Sequence, residues 1–204
     1  VDPNARHMIY LQGGWPETHS LSEPHRKNGL FEYDKIILAL AGSGFEVISE
    51  LRGEKTNPRR YVRTRTLPQI KSLIEKGVPA NSITVVGFSK GGFISLMIAS
   101  TAKEPGLNLV NLAGCGTGQF RKIYESFLES DASKMQGRML SLFDEKDTIG
   151  GSCAESKAKA GKLVFAEEIL TTGDGHATFY APGDTWIEKV AAWANAAEAA
   201  EAAK

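Results

Sequence analysis

The chain reads as an α/β protein: a doubly wound, mostly parallel sheet of about six strands flanked by helices. Three observations predict this. Strand-like apolar runs alternate with helical patterns along the 204 residues. The connections are short, and parallel neighbours need a crossover that is usually a helix. The strand runs are continuously apolar rather than alternating, as burial on both faces requires. The length suits one globular domain over residues 1–204.

The first strand runs from Met8 to Leu11 and the first helix from Tyr33 to Ala41, with Ile36, Ile37 and Leu40 on one face. Gly42 and Gly44 tolerate the backbone of a helix end. A second strand, Phe45 to Glu50, precedes a helix opened by Thr66-Leu67-Pro68-Gln69 and closed by Gly77. Thr66 and Gln69 fit a capping box, and Pro68 suits a first turn. The third strand, Ser82 to Phe88, leads into a helix over Phe93 to Thr101 with Phe93, Leu96, Met97 and Ser100 on one face. Strands then fall at Leu107 to Leu112, Met139 to Phe143 and Leu163 to Ile169, separated by helices at Phe120 to Leu128 and Cys153 to Ala160. The last helix starts at Asp184 and carries a core stripe of Trp186, Ile187, Val190 and Trp193. Its Ala/Glu/Lys tail, 194–204, is expected to fray. The chain begins at Val1, so residues 1–7 are read as a leader remnant or an added segment.

Lysine plus arginine and aspartate plus glutamate both number 24, and zero net charge gives no case for nucleic acid or an anionic membrane as partner. No apolar run approaches the ~20 residues that span a bilayer. Cys115 and Cys153 are compatible with two buried thiols or one disulfide. Both follow strands at one sheet edge, so a bridge is geometrically feasible and would favour a periplasmic or secreted location over the cytoplasm. No Cys/His cluster has metal-ligand spacing and no glycine-rich run completes a phosphate loop, so neither metal nor cofactor is expected. Oligomeric state stays open.

The chemistry concentrates at Ile83 to Gly92, where a β-branched strand enters Gly87-Phe88-Ser89-Lys90-Gly91 and then a helix. Such a strand-turn-helix is the nucleophile elbow of serine hydrolases, with glycines where the crowded backbone leaves no room for a Cβ. A serine hydroxyl is a poor nucleophile at neutral pH. It needs an imidazole to take its proton and a carboxylate to fix the imidazole's tautomer. Asp147, past the fifth strand, and His176, past the sixth and flanked by glycines, follow in the order acid then base.

On these motifs the chain resembles a small, cap-less member of the α/β-hydrolase superfamily, in the plan of carboxylesterases and dienelactone-hydrolase-type proteins. The resemblance runs from Met8 to about Trp193 and implies the catalytic set Ser89, His176 and Asp147. Two departures stand out. The family's acid loop has glycine three residues before the aspartate; here Asp144 holds that place and is a rival acid. The loop Gln12-Gly13-Gly14-Trp15 corresponds to the family's His-Gly oxyanion loop, with Gln12 where histidine is usual. Lys90 and either Gly13 or Gly14 are implied as oxyanion amides, with Gln12 and Trp15 nearby at the substrate. His19 and His25 fall in a long loop, Gln12 to Leu30, expected to wall the site. No insertion between elbow and acid is large enough for a lid, so an open, shallow site is expected.

The reading that follows is a hydrolase of small carboxylic esters acting through an acyl-enzyme. Amide, peptide or thioester hydrolysis by the same residues is the enzyme alternative, and a non-catalytic binding protein, favoured only by Gln12, is the other. The basic run Arg52, Lys55, Arg59, Arg60, Arg63 and Arg65 reads as a solvated face.

Overall fold

The computed structural model describes the backbone of residues 1–202 and the side chains of residues 1–196, so the last part of the expected fraying tail, 194–204, lies outside the described residues. Six strands build one sheet: β1 His7–Leu11, β2 Glu46–Ser49, β3 Ile83–Phe88, β4 Asn108–Leu112, β6 Gln136–Asp144 and β8 Lys162–Leu170. Their order is β2-β1-β3-β4-β6-β8, and every neighbouring pair is parallel. A separate antiparallel ribbon pairs β5 Cys115–Gly116 with β7 Gly150–Gly151, and neither segment carries a strand pattern in the sequence. The helices are α1 Tyr33–Gly42, α2 Pro58–Tyr61, α3 Leu67–Glu75, α4 Lys90–Thr101, α5 Arg121–Ser130, α6 Ala154–Lys159 and α7 Asp184–Ala202. Among the described residues no helix is long and apolar enough to cross a membrane.

Successive strand residues point to opposite faces, which splits the core in two. Met8, Tyr10, Val86 and Val110 pack under Ile36 and Leu40 of α1 and Trp186 and Val190 of α7. Ile9, Val85, Leu109 and Met139 face Ile70 of α3, Ile94 of α4 and Phe127 of α5. Each fully buried aliphatic or aromatic side chain contributes roughly 1.5–3 kcal/mol relative to exposure.

Three expectations change. Thr66 is no N-cap: its backbone is helical (φ −72°, ψ −44°) and its side chain makes no cap bond. The helix starts earlier, at Asn57, whose side chain accepts from the Arg60 amide, and it passes through a π turn at Val62–Thr66 before Pro68. Proline removes one amide and crowds the carbonyl four residues back, and the wider turn makes room for it. Helix α4 has no single apolar face; it is buried along almost its whole length, including Gly91, Ser95 and Ala99. The rule of two-sided burial holds only for the inner strands. Edge strand β8 leaves Val164 and Ile169 exposed.

Strand order reverses between β1 and β3, because β2 lies outside β1 while β4, β6 and β8 run off the other way. In doubly wound sheets such a switch point opens a crevice at the carboxyl ends of the strands. The loop after β1 and the turn after β3 therefore meet there. The loops after β6 and β8 are neighbours on the same edge.

Candidate active site

Ser89 follows β3 directly and holds the N-cap position of α4 with φ 53° and ψ −112°, a strained conformation for a residue with a side chain. The turn closes only because its flanks are bare. A Cβ on Gly87 would overlap the Gly91 carbonyl, and one on Gly91 would overlap the carbonyl of Leu11 in the neighbouring strand. The Ser89 amide donates to Leu112 O at 2.8 Å, which fixes the turn against β4.

His176 sits in a short 3₁₀ turn after β8, nearly buried, with its Nε2 2.9 Å from Ser89 Oγ and its Nδ1 2.7 Å from Asp147 Oδ2. An ionised carboxylate only accepts, so the Nδ1 proton donates to Asp147, and Nε2 is left to accept from the serine hydroxyl. Asp147 is itself oriented: its Oδ1 accepts the amides of Ile149 and Gly150 at 2.7 and 2.9 Å. Those amides lead into β7, whose partner strand holds Cys115, and Cys115 is disulfide-bonded to Cys153. The bridge left open by the sequence thus braces the loop that presents the carboxylate.

Asp144, the rival acid, lies fully buried at the end of β6 and does not bond the imidazole. Its Oδ1 accepts from the amides of Lys146 and Gly175. Its Oδ2 accepts from the Thr172 amide and hydroxyl and the Gly173 amide. Burial alone would push its pKa up, but these donors outweigh it and hold the carboxyl below the usual range. The carboxylate staples the acid loop to the histidine loop, a task a glycine there has no side chain to perform.

Gln12 departs from expectation. It is fully buried behind the loop after β1 and lines neither opening at Ser89. Its Oε1 accepts from Arg52 Nη1 at 3.1 Å. Arg52 Nη2 also donates to the carbonyls of Gln12 and Gly13, its Nε donates to Glu17 Oε1 at 2.8 Å, and the second oxygen of Glu17 pairs with Lys90 Nζ. In a trans peptide the carbonyl and the following amide point in opposite directions. Tying the carbonyls of residues 12 and 13 to Arg52 aims the Gly13 and Gly14 amides away from it, to the side on which both glycines line the openings. The Lys90 amide, at the first turn of α4, has no carbonyl one turn earlier within the helix and sits at its positive end.

Arg52 and Glu17 were missed by sequence reasoning. Arg52 opens a basic run whose other members, Lys55, Arg59, Arg60, Arg63 and Arg65, are solvent-exposed as expected, and no local pattern marks the one that is buried. Glu17 lies in a loop without periodicity.

Two depressions meet at Ser89. A cleft of about 890 Å³ extends between Phe93 and Met97 of α4 and Phe120, Ile123 and Phe127 at α5, with Lys90 at its edge. This is larger than the shallow site expected. A pocket of about 260 Å³ lies on the His176 side, walled by Trp15, Thr18, His25 and Asn28 over Phe31, Phe88 and Tyr180. Trp15 stacks on His19 at 3.4 Å and meets His25 edge-on. Burial, then the neighbouring His176, holds His25 below the usual histidine range. Among the described residues no group of three His, Cys, Asp or Glu side chains is placed to hold a metal ion.

No family model matches the sequence, and no curated protein matches it closely enough to be a relative. Solved structures do match its fold. A lipase-esterase related protein from Clostridium acetobutylicum superposes with a TM-score of 0.60 at 14% identity, covering 94% of this chain and 96% of that one. An esterase from the archaeon Pyrobaculum calidifontis gives 0.57 at 17% identity over 97% and 77%. A sugar hydrolase from Lactococcus lactis gives 0.60 at 13% over 94% and 88%. The chain has the α/β-hydrolase fold.

Proposed function

We propose that this chain, an α/β-hydrolase by fold, is a serine hydrolase that cleaves small carboxylic esters. The observation that carries the reading is the continuous relay from Ser89 Oγ through His176 to Asp147, at 2.9 and 2.7 Å, on a strained turn at the switch point. Hydrolase and esterase names among proteins of the same fold support it.

In this mechanism Ser89 Oγ forms a bond to the ester carbonyl carbon as its proton passes to His176 Nε2, and Asp147 stabilises the imidazolium. The tetrahedral oxyanion takes hydrogen bonds from the Lys90 amide and from Gly13 or Gly14, held by Arg52. The C–O bond to the alcohol breaks as the imidazolium returns its proton to the leaving oxygen. Water then repeats the sequence, releasing the acid and restoring the serine. Every catalytic group required belongs to the chain, and the ester and water are the small molecules the reaction consumes. The buried disulfide supports an oxidising compartment, periplasmic or extracellular, as the place where the enzyme works.

A fluorophosphonate tests the reading, since it labels only a serine activated as a nucleophile. Peptide mass spectrometry is expected to find the adduct on Ser89, none in Ser89→Ala and far less in His176→Ala. A folded protein that stays unlabelled would overturn the proposal in favour of a binding protein with this fold.

A further inference from the structure

We infer that the 890 Å³ cleft receives an apolar acyl chain of several carbons and the 260 Å³ pocket a short alcohol, so that the substrates are medium-chain acyl esters of small alcohols. This rests on the ester-hydrolase reading above and assigns which side of that site binds which half of the substrate.

Direction follows from the tetrahedral centre. Its carbon carries four groups: Ser89 Oγ, the oxyanion, the leaving oxygen and the acyl carbon. The oxyanion faces the Lys90 amide and the glycine loop. The leaving oxygen must take its proton from His176 Nε2, so the alcohol extends on the imidazole side. Only the smaller pocket is lined by His176; the cleft touches Ser89 and Lys90 but not the imidazole. The acyl substituent, the one group left, points into the cleft.

The chemistry of the two walls agrees. The cleft is faced by Phe93, Met97, Phe120, Ile123 and Phe127. Phe120 and Ile123 are 41% and 54% exposed and join Phe93, Met97 and Phe127 in one apolar lining, a surface on which an apolar chain can bury carbon. Helix α5 presents that apolar side to the cleft while Arg121 pairs with Glu125 and Glu155. Arg59, at the cleft wall, is occupied by Asp131 at 2.6 Å, and the remaining cation of the α5 side, Lys122, stands exposed at the cleft's rim. The pocket instead offers Thr18, His25 and Asn28 as polar neighbours. Its volume falls below the roughly 300–1,000 Å³ of typical ligand sites, which limits the alcohol, whereas the cleft sits near the top of that range.

The test uses two ester series on the full chain, followed by acid release at constant pH. One lengthens the acyl group from acetyl to decanoyl on ethanol; the other lengthens the alcohol from methyl to octyl on a butanoyl ester. Burying a methylene favours binding enough for about a three- to fourfold rise in kcat/KM per carbon. That rise is expected in the acyl series until the cleft is filled, with no rise along the alcohol series. Ile123→Asp, at an exposed position, is expected to lower the octanoyl-to-acetyl ratio at least tenfold. A rise along the alcohols instead, an acyl optimum at acetyl, or an unchanged ratio in Ile123→Asp would each overturn the inference. Fluorophosphonate labelling of the same sample separates the two failures. Labelled Ser89 with the wrong length dependence defeats only this assignment, whereas absent labelling and no turnover of any ester defeat the hydrolase reading as well.

Discussion

Replacing Arg52 with methionine probes the least visible part of the site. The side chain is fully buried and feeds Glu17 Oε1, Gln12 Oε1 and the carbonyls of Gln12 and Gly13. Its loss leaves Glu17, itself almost fully buried, with Lys90 as its remaining cation. Breaking a buried ion pair by removing one partner costs about 3–5 kcal/mol. For a chain of this size each kcal/mol lowers Tm by roughly 2–4 °C, so a drop of about 6–20 °C is expected. Activity falls for a second reason. Deleting an oxyanion donor costs about 10²–10³ in kcat, and a glycine loop released from its anchor forfeits part of that, about tenfold or more. The double variant Arg52→Met/Glu17→Gln separates the effects, because it removes both charges. Thermal unfolding with steady-state kinetics on an acetyl ester is expected to show Tm largely recovered while kcat stays depressed and KM changes little. A double variant with recovered Tm and undiminished kcat would refute the anchoring role and leave Arg52 as a mere counter-ion.

Asp147→Asn is expected to cut kcat by about 10⁴, because an amide no longer fixes the imidazole tautomer, whereas Asp144→Asn mainly lowers Tm and leaves a larger share of kcat; equal losses in both would contradict the division of roles. The Cys115–Cys153 bridge closes 38 residues, for which the chain-entropy relation gives about 4 kcal/mol. Cys115→Ala/Cys153→Ala should therefore melt about 8–16 °C lower, and calorimetry that finds no shift would count against the bridge. Acid unfolding carries a signature from two carboxylates. The Lys134 ammonium, then Arg59 and Ser130, hold Asp131 against its burial down to about 2, and Asp144 is also depressed. A depressed carboxylate stabilises the fold fully above its unfolded pKa of about 3.9 and loses that contribution as pH falls through the folded value. Stability should thus decline between about pH 4 and pH 2, and Asp131→Asn should flatten that decline in denaturant titrations.

Much of this was legible in the sequence because it is locally encoded. Apolar runs such as Ile83 to Phe88 and the glycines about Ser89 follow from strand burial and backbone crowding, and both need only neighbours in the chain. The order serine, acid, histidine narrowed the site to His176 and two aspartates. What remained hidden depends on contacts across the fold. Asp144 and Asp147 both read as loop carboxylates in the sequence, but Asp144 ends β6 and accepts the amides of Thr172, Gly173 and Gly175, whereas Asp147 accepts those of Ile149 and Gly150 and meets the imidazole. The burial of Arg52 requires Glu17 from 35 residues away. The capping box at Thr66 misled because Asn57-Pro58 starts the helix earlier and a π turn absorbs Pro68. The large cleft arises from the spacing of α5 against α4, which no periodicity records.

Rapid mixing of the protein with an excess of an acyl ester, acid quenching, and then intact-mass and peptide mass spectrometry test the proposed covalent step itself. The expected result is a burst of alcohol matching the enzyme concentration and an added acyl mass on Ser89 that decays as acid appears. Steady hydrolysis with no acyl mass on Ser89, or with that mass on another residue, would contradict the mechanism.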